Sequence, residues 1–395
     1  MIRLPPISER DHAWLLEVVS ALVARESPSN DPLALEACAA ELVGRLAAAG
    51  ARVSRLRADG TAAHVLAEWP GDGPRVLFLG HFDTVWPVGQ IARMPIAERD
   101  GRLFGPGAFD MKAGLAIAAV AAKAVCDAVP GANRPRIVLL ATSDEEVGSA
   151  TSRAHIERLA RDSAAVLVFE PALAGGAVKT SRKGVGEFEV RATGIASHAG
   201  AHPEAGASAI HELARQIVAI EALNDPVRGL SLNVGVIEGG TRSNVVAEQA
   251  TARVDVRVRR AEDALRAEAA LRALRPANPS VSLAVSGRMN RPPMERTAGV
   301  VRLYELARGV ARAMGRDLAE GATGGASDGN FTAALGVPTL DGLGAVGDGP
   351  HALHEHVVIK ELGPRAALVA GLVAAIGDNG LAGPTDPGPR TEDRL

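Results

Sequence analysis

Apolar residues recur at three- and four-residue spacing from Asp11 to Val23 and from Pro32 to Ala49, which predicts two helices at the start of the chain. Strand-like runs follow at Ala63–Glu68 and Arg75–Gly80. The second holds the near-continuous apolar VLFLG, the pattern of a strand covered on both faces. A helix is expected from about Lys112 to Asp127, then a buried strand at Arg136–Ala141, a helix near Thr151–Leu159 and a strand at Ala165–Phe169. This alternation predicts a three-layer α/β/α domain.

The rhythm changes after about Lys179. Gly186–Thr193 alternates like a half-exposed strand, and Gly206–Leu223 reads as a helix. Strands at Ser231–Glu238 and Gln249–Arg259, a helix at Ala261–Leu274 and a strand at Val281–Ser286 complete the order β-α-β-β-α-β. That is the order of a ferredoxin-like α+β unit. From Gly299 the first style returns and ends in a helix at about Leu362–Ile376. The expected organisation is therefore one domain at 1–180 and 296–377, interrupted by an inserted domain at 181–295. A tail at 378–395, rich in Gly, Pro and charge, is expected to be disordered.

A chain of 395 residues exceeds what one core usually supports, in keeping with two domains. Its net charge of −3 supplies no basic footprint and its aromatic content of 3% no stacking platform, so nucleic acid is not the expected partner. Cys38 and Cys126 are too few for a disulfide framework and are expected to be inert buried thiols. The stretch Met1–Trp14 carries Glu9, Asp11 and two prolines and lacks a signal-peptide core. No apolar run approaches the roughly 20 residues that span a bilayer, and Gly114–Ala122 is better read as a buried helix. No membrane partner is expected, and the cytoplasm is the expected location.

The ends of the predicted strands carry polar residues. VLFLG runs into His81-Phe82-Asp83; residues two apart on extended backbone share a face, so Asp83 can steer an imidazole that ligates a metal. In the loop GPGAFDMK, Asp110 stands at the expected start of a helix, as a plain N-cap or as a carboxylate bridging two cations. The run Ser143-Asp144-Glu145-Glu146 is either a solvated loop or a metal ligand beside a general base, since neighbours on extended backbone point opposite ways. Glu170 follows another buried strand, and ligands of open α/β sheets gather at the carboxyl ends of strands. The segment HALHEH offers three imidazoles. Asp110, Glu146 and Glu170 would repel one another if brought together without cations, which favours a metal pair. Imidazole ligands favour zinc.

The ordered set GHFDTV, GPGAFDMKAG, SDEEVGS, FEP, ASHAG and HALHEH resembles the di-zinc aminoacylase and carboxypeptidase family, over about residues 10–377. The resemblance implies an α/β/α zinc-peptidase domain with an inserted lid and dimerisation domain. It implies His81, Asp110 and Glu170 on one zinc and Asp110, Glu146 and His351 on the other, two Zn²⁺ per subunit, with Co²⁺ or Mn²⁺ able to substitute. By the same resemblance Glu145 is the general base and Asp83 the partner of His81. His351 is preferred to His354 and His356 because the ligand histidine stands four residues before a glutamate, here Glu355. Ala352 departs from the small hydroxyl residue often found there. His198, in Ser197-His198-Ala199-Gly200, implies an oxyanion donor reaching the partner subunit's site in a homodimer.

Within that family, FEPA, ASHAGAHPEAGASAI, SNVV and GATGGASDGN look like the carboxypeptidase G subgroup. The resemblance implies release of a C-terminal amino acid, glutamate by expectation, from a peptide or N-acyl conjugate. It places Arg291 as the carboxylate-binding arginine, whose guanidinium can grip with two parallel bonds. Asn244 is expected to donate beside it, and the glycines of GATGGASDGN to let N–H groups approach the carboxylate. Arg257 and Arg288 are weaker candidates for the same role, since arginines near strand ends are usually solvated surface. An N-acyl-amino-acid deacylase is the alternative enzyme, and a non-catalytic metal-binding protein the alternative class.

Overall fold

The computed structural model describes residues 3–380. The described chain divides into two compact units, which are taken separately: residues 3–180, 296–321 and 335–380, and residues 181–295 with 322–334.

In the first unit, six strands form one sheet in the order Arg52–Leu56, His64–Trp69, Pro135–Thr142, Gly73–His81, Ala165–Val168, Thr339–Leu340. The first strand, absent from the sequence prediction, is a half-exposed edge whose residues are mostly polar. The last four strands run parallel, and Val76, Leu77, Phe78 and Leu79 at the centre are fully buried. Helix Ala113–Ala128 packs against the C-terminal helix Ile359–Asn379 and against Glu9–Val23. Twelve of its residues are buried, which explains an alanine-rich sequence with little polar face. Ser8 and Asp11 close a reciprocal cap on Glu9–Val23, and Asp31 caps Pro32–Ala48. Asp378 continues the last helix rather than opening a tail; residues 381–395 of the expected tail lie outside the described residues.

The second unit is a four-stranded antiparallel sheet ordered Ser231–Gly239, Gln249–Val258, Gly184–Thr193, Ser282–Arg291. Strands contiguous in sequence are not all neighbours, and the first and third lie at the centre, which is the ferredoxin-like arrangement. Helices Ala209–Glu221 and Ala261–Arg272 bury Leu213, Ile220, Ala267 and Leu271 with Phe188, Val190, Val254 and Val256 of the sheet. The last strand runs to Arg291, well past the predicted Ser286. Ser286-Gly287 looks like a breaker, but Gly287 (φ +103°) lies where an added Cβ would stand 2.2 Å from the Glu187 carbonyl oxygen, so glycine lets the pairing continue.

Residues 322–334, expected in the first domain, group with this unit. Arg182 donates to the carbonyls of Gly325 and Ala326, Arg291 to Asp328, and Asn330 to the carbonyls of Lys183 and Pro292. Of the two free thiols, Cys38 is buried but Cys126 is only partly so, a departure from expectation. No described helix is long and apolar enough to cross a membrane.

Candidate metal centre

Three neighbouring parallel strands, Pro135–Thr142, Gly73–His81 and Ala165–Val168, present their carboxyl ends at one edge of the sheet. His81 is the last residue of the middle strand; Glu145 and Glu146 follow one neighbour, and Glu170 follows the other. His81 Nε2 lies 3.3 Å from Asp110 Oδ1 and 3.5 Å from Glu170 Oε1. His351 Nε2 lies 3.3 Å from Asp110 Oδ2 and 3.3 Å from Glu146 Oε1. Asp110 thus turns one oxygen to each imidazole. Oxygen or nitrogen atoms of Glu145, His81 and Glu170 also converge within 4.8 Å.

The buried oxygens Asp110 Oδ1 and Glu146 Oε1 accept no hydrogen bond. Ligand atoms about 2.0–2.1 Å from a tetrahedral ion stand about 3.3–3.4 Å apart, the spacing seen between each imidazole nitrogen and its carboxylate oxygens. Two imidazoles and three carboxylates are also a donor set suited to divalent transition metals. The residues fit a metal pair.

Electrostatics of the metal-free cluster point the same way. Asp110 and Glu146 push the His351 imidazole up to about 10, against partial burial. Burial works against charging His81, yet Asp110, Asp83 and Glu170 outweigh it and raise its pKa well above the ordinary value. Burial likewise opposes ionisation of Asp110, but the two imidazoles hold it well below the usual carboxylate range. Burial raises Glu146. Cationic imidazoles here stand in for positive charge that this carboxylate cluster demands.

Asp83 is fully buried. Its Oδ1 accepts from the Glu145 N–H (3.2 Å), and its Oδ2 from the Glu146 N–H (3.1 Å) and the Ser29 hydroxyl (2.7 Å). His81 Nδ1 is 3.4 Å from Asp83 Oδ1 but 3.0 Å from the Asp83 backbone oxygen. Asp83 therefore steers His81 with carboxylate and carbonyl together, and its carboxylate also carries the Glu145–Glu146 turn. That turn corrects the extended backbone expected there: Glu145–Val147 is a single 3-10 turn, closed by Gly148 at φ +98°. Asp110 is not a helix cap either. Its backbone is extended (φ −115°, ψ 95°), the Asp110–Met111 peptide is cis, and the helix starts at Ala113.

Of the other imidazoles in HALHEH, His354 is exposed, 3.9 Å from Asp348, while His356 is buried against Phe104. Sequence reasoning overlooked Glu355, its donor Trp86, and Lys112 around the centre. Glu355, noted only as a spacing marker, is buried and accepts four hydrogen bonds, including one from Trp86 Nε1. Lys112 is buried and donates to the Arg25 carbonyl; burial lowers its pKa. A lone Glu amid histidines and a Lys directly after an apolar Met were the available signals.

In the second unit His198 is exposed, and its Nδ1 accepts from the N–H groups of Gly200 (3.1 Å) and Ala201 (3.0 Å). An Nδ1 that accepts carries no proton, so Nε2 bears the hydrogen and is a donor. Asn244 lies in the loop beside it, accepting from Ala199 N–H through its backbone oxygen. Arg291 pairs with Val185, eight positions from the Thr193 end of the sheet where His198 and Asn244 lie, about 26 Å at the usual strand rise. Asn244 is not beside Arg291 within one chain. Arg291 is 8% exposed, 3.1 Å from Asp328 and stacked over Phe331. The glycine-rich loop turns carbonyls, not N–H groups, to Arg182 and Arg257. Arg257 is partly exposed and pairs with Asp255 at 2.8 Å.

A model of peptidase family M20/M25/M40 matches residues 77–375, which hold every candidate residue of the centre. The chain belongs to this family. It is 29% identical over 371 residues to carboxypeptidase G2 of Pseudomonas sp. (strain RS-16), covering 92% of this chain and 89% of the relative. It is also 29% identical to succinyl-diaminopimelate desuccinylase of Stenotrophomonas maltophilia, covering 88% of this chain and 95% of that one. The crystal structure of aminopeptidase PepT from Bacillus cereus superposes with a TM-score of 0.77 at 22% identity, covering 92% of this chain and 98% of that one. The M20 fold, an α/β catalytic domain interrupted by an α+β domain, is thus shared with solved peptidases. The protein is a metallopeptidase or amidohydrolase by family.

Proposed function

We propose that this chain is a two-zinc amidohydrolase that releases a C-terminal amino acid, glutamate by preference, from a peptide or N-acyl conjugate. The observation that carries the reading is Asp110 turning one oxygen to each imidazole, with Glu145 beside the same cluster. His81, Asp110 and Glu170 would hold one ion, and Asp110, Glu146 and His351 the other; Co²⁺ or Mn²⁺ could replace zinc. When bound, such ions polarise the scissile carbonyl and acidify water. Glu145 takes the proton from the attacking water and returns it to the leaving nitrogen. Asp83 holds His81 and the Glu145–Glu146 turn in place. The Nε2–H of His198 donates to the developing oxyanion.

Arg291 takes the substrate carboxylate, sharing its charge with Asp328. The roughly 26 Å between the ends of the sheet that carry Arg291 and His198 with Asn244 exceeds the reach of a small substrate, so a homodimer with donors supplied in trans suits this reading. Similarity to a desuccinylase, and an Arg291 already paired, favour N-acyl-amino-acid deacylation as the second reading. A cytoplasmic setting belongs to the proposal.

Glu145→Ala is expected to retain two zinc ions per subunit and to lose turnover about 10²–10⁴-fold or more. A near-normal rate in that variant would remove Glu145 from the mechanism. Ranking N-acyl glutamates, aspartates and neutral amino acids as substrates separates the two enzyme readings.

A further inference from the structure

We infer that Glu355 is the positioning residue that locks Asp110 and His351 into register for metal binding, an inference that rests on the metal-centre reading above. Glu355 is 1% exposed. Its Oε2 accepts from Trp86 Nε1 (2.8 Å) and Gly107 N–H (2.9 Å), and its Oε1 from Phe109 N–H (2.9 Å) and Asp110 N–H (3.0 Å). Four donors fill the acceptor capacity of a carboxylate. Glu355 is thereby committed to these bonds and is no ligand.

These bonds join three chain segments that carry the centre. Trp86 follows His81 and Asp83, Gly107–Asp110 is the loop that delivers Asp110, and Glu355 itself stands four residues after His351. Within the Asp110 loop the Ala108 N–H donates to the Gly105 carbonyl and the Lys112 N–H to the Gly107 carbonyl, while the N–H groups of Gly107, Phe109 and Asp110 turn to Glu355. His351 sits at φ +60°, a left-handed conformation costly for a residue with a Cβ, and such positions persist only where the surroundings hold them. The Glu355 anchor supplies that hold, helped by the turn in which Glu355 N–H donates to the Ala352 carbonyl. An amide in place of the carboxylate would present two hydrogens to groups that are themselves donors.

The test is zinc affinity by chelator competition, with the d–d spectrum of the cobalt-loaded protein and the Tm of the metal-free protein recorded beside it. Glu355→Gln is expected to weaken zinc binding about 10–100-fold, the usual effect of losing a partner behind the ligands, and to alter the cobalt spectrum. Trp86→Phe, which removes one donor and keeps the ring, is expected to weaken zinc binding a few-fold at unchanged Tm. A merely structural Glu355 would lower the metal-free Tm while leaving affinity and cobalt spectrum as in the native protein, and that result overturns the inference. Should Glu355→Gln not fold, an unchanged zinc affinity in Trp86→Phe overturns it equally. If the native protein itself binds no pair of ions, the metal-centre reading fails and this inference with it.

Discussion

Replacing Asp83 by alanine removes the acceptor of two backbone N–H groups, those of Glu145 and Glu146, and of the Ser29 hydroxyl. The Glu145 N–H is buried, the Glu146 N–H partly so, and Asp83 is fully enclosed, so the stranded donors gain little from water. Each of the two backbone donors left without a partner costs about 1–3 kcal/mol, and the Ser29 hydroxyl, only half-buried and able to rotate, adds little, so the expected loss is about 2–6 kcal/mol. Asp83→Asn keeps one acceptor and turns an amide NH₂ toward a donor, for an expected loss of about 1–3 kcal/mol. Urea denaturation with a chelator present isolates this term from metal binding. Trp14, Trp69 and Trp86, the three tryptophans, all lie in the first unit, so their fluorescence follows the unit that contains Asp83. A loss below about 1 kcal/mol for the alanine variant would refute the idea that Asp83 carries the Glu145–Glu146 turn.

Gly114→Ala places a Cβ 2.1 Å from the Phe169 carbonyl oxygen, one residue before Glu170. It is expected to lower stability by about 1–3 kcal/mol or more and to weaken zinc binding, read by thermal denaturation and chelator competition. In the metal-free protein His351 has a pKa raised to about 10 from 6.5, so its stabilising charge is fully present below about pH 6.5 and lost as pH climbs toward 10. The Tm of the chelator-treated protein should therefore fall over that interval. Zinc must displace the same proton, so zinc affinity should rise with pH, and a flat affinity profile would contradict the assignment of His351.

Period and flanking residues marked most elements because each buries a face of its own. VLFLG has the pattern of a covered strand, and Gly114–Ala122, apolar throughout, that of an enclosed helix. Where the reading slipped, the missing information lay elsewhere in the chain. Ser286-Gly287 looked terminal until Glu187 came close enough to require glycine. Residues 322–334 looked like part of the first domain until arginines 182 and 291, far off in sequence, tied them to the second unit. Extended backbone was assumed at Glu145–Glu146 because nothing local announces a turn whose N–H groups are held by Asp83.

The linear order of residues was enough to mark His81, the Glu145–Glu146 pair and Glu170 after buried strands, where acids and imidazoles are costly unless something uses them, while the choice of Glu146, Asp110 and His351 came from the family resemblance. It was also enough to specify strand, helix and inserted ferredoxin-like order. Tertiary structure alone decided which oxygen of Asp110 meets which imidazole, that Glu355 is consumed by four donors, and that His198 and Arg291 occupy opposite ends of one sheet. Such facts depend on distances between segments up to 270 residues apart, roughly the span from Trp86 to Glu355, and hydrogen bonds act over about 3 Å whatever the separation in sequence.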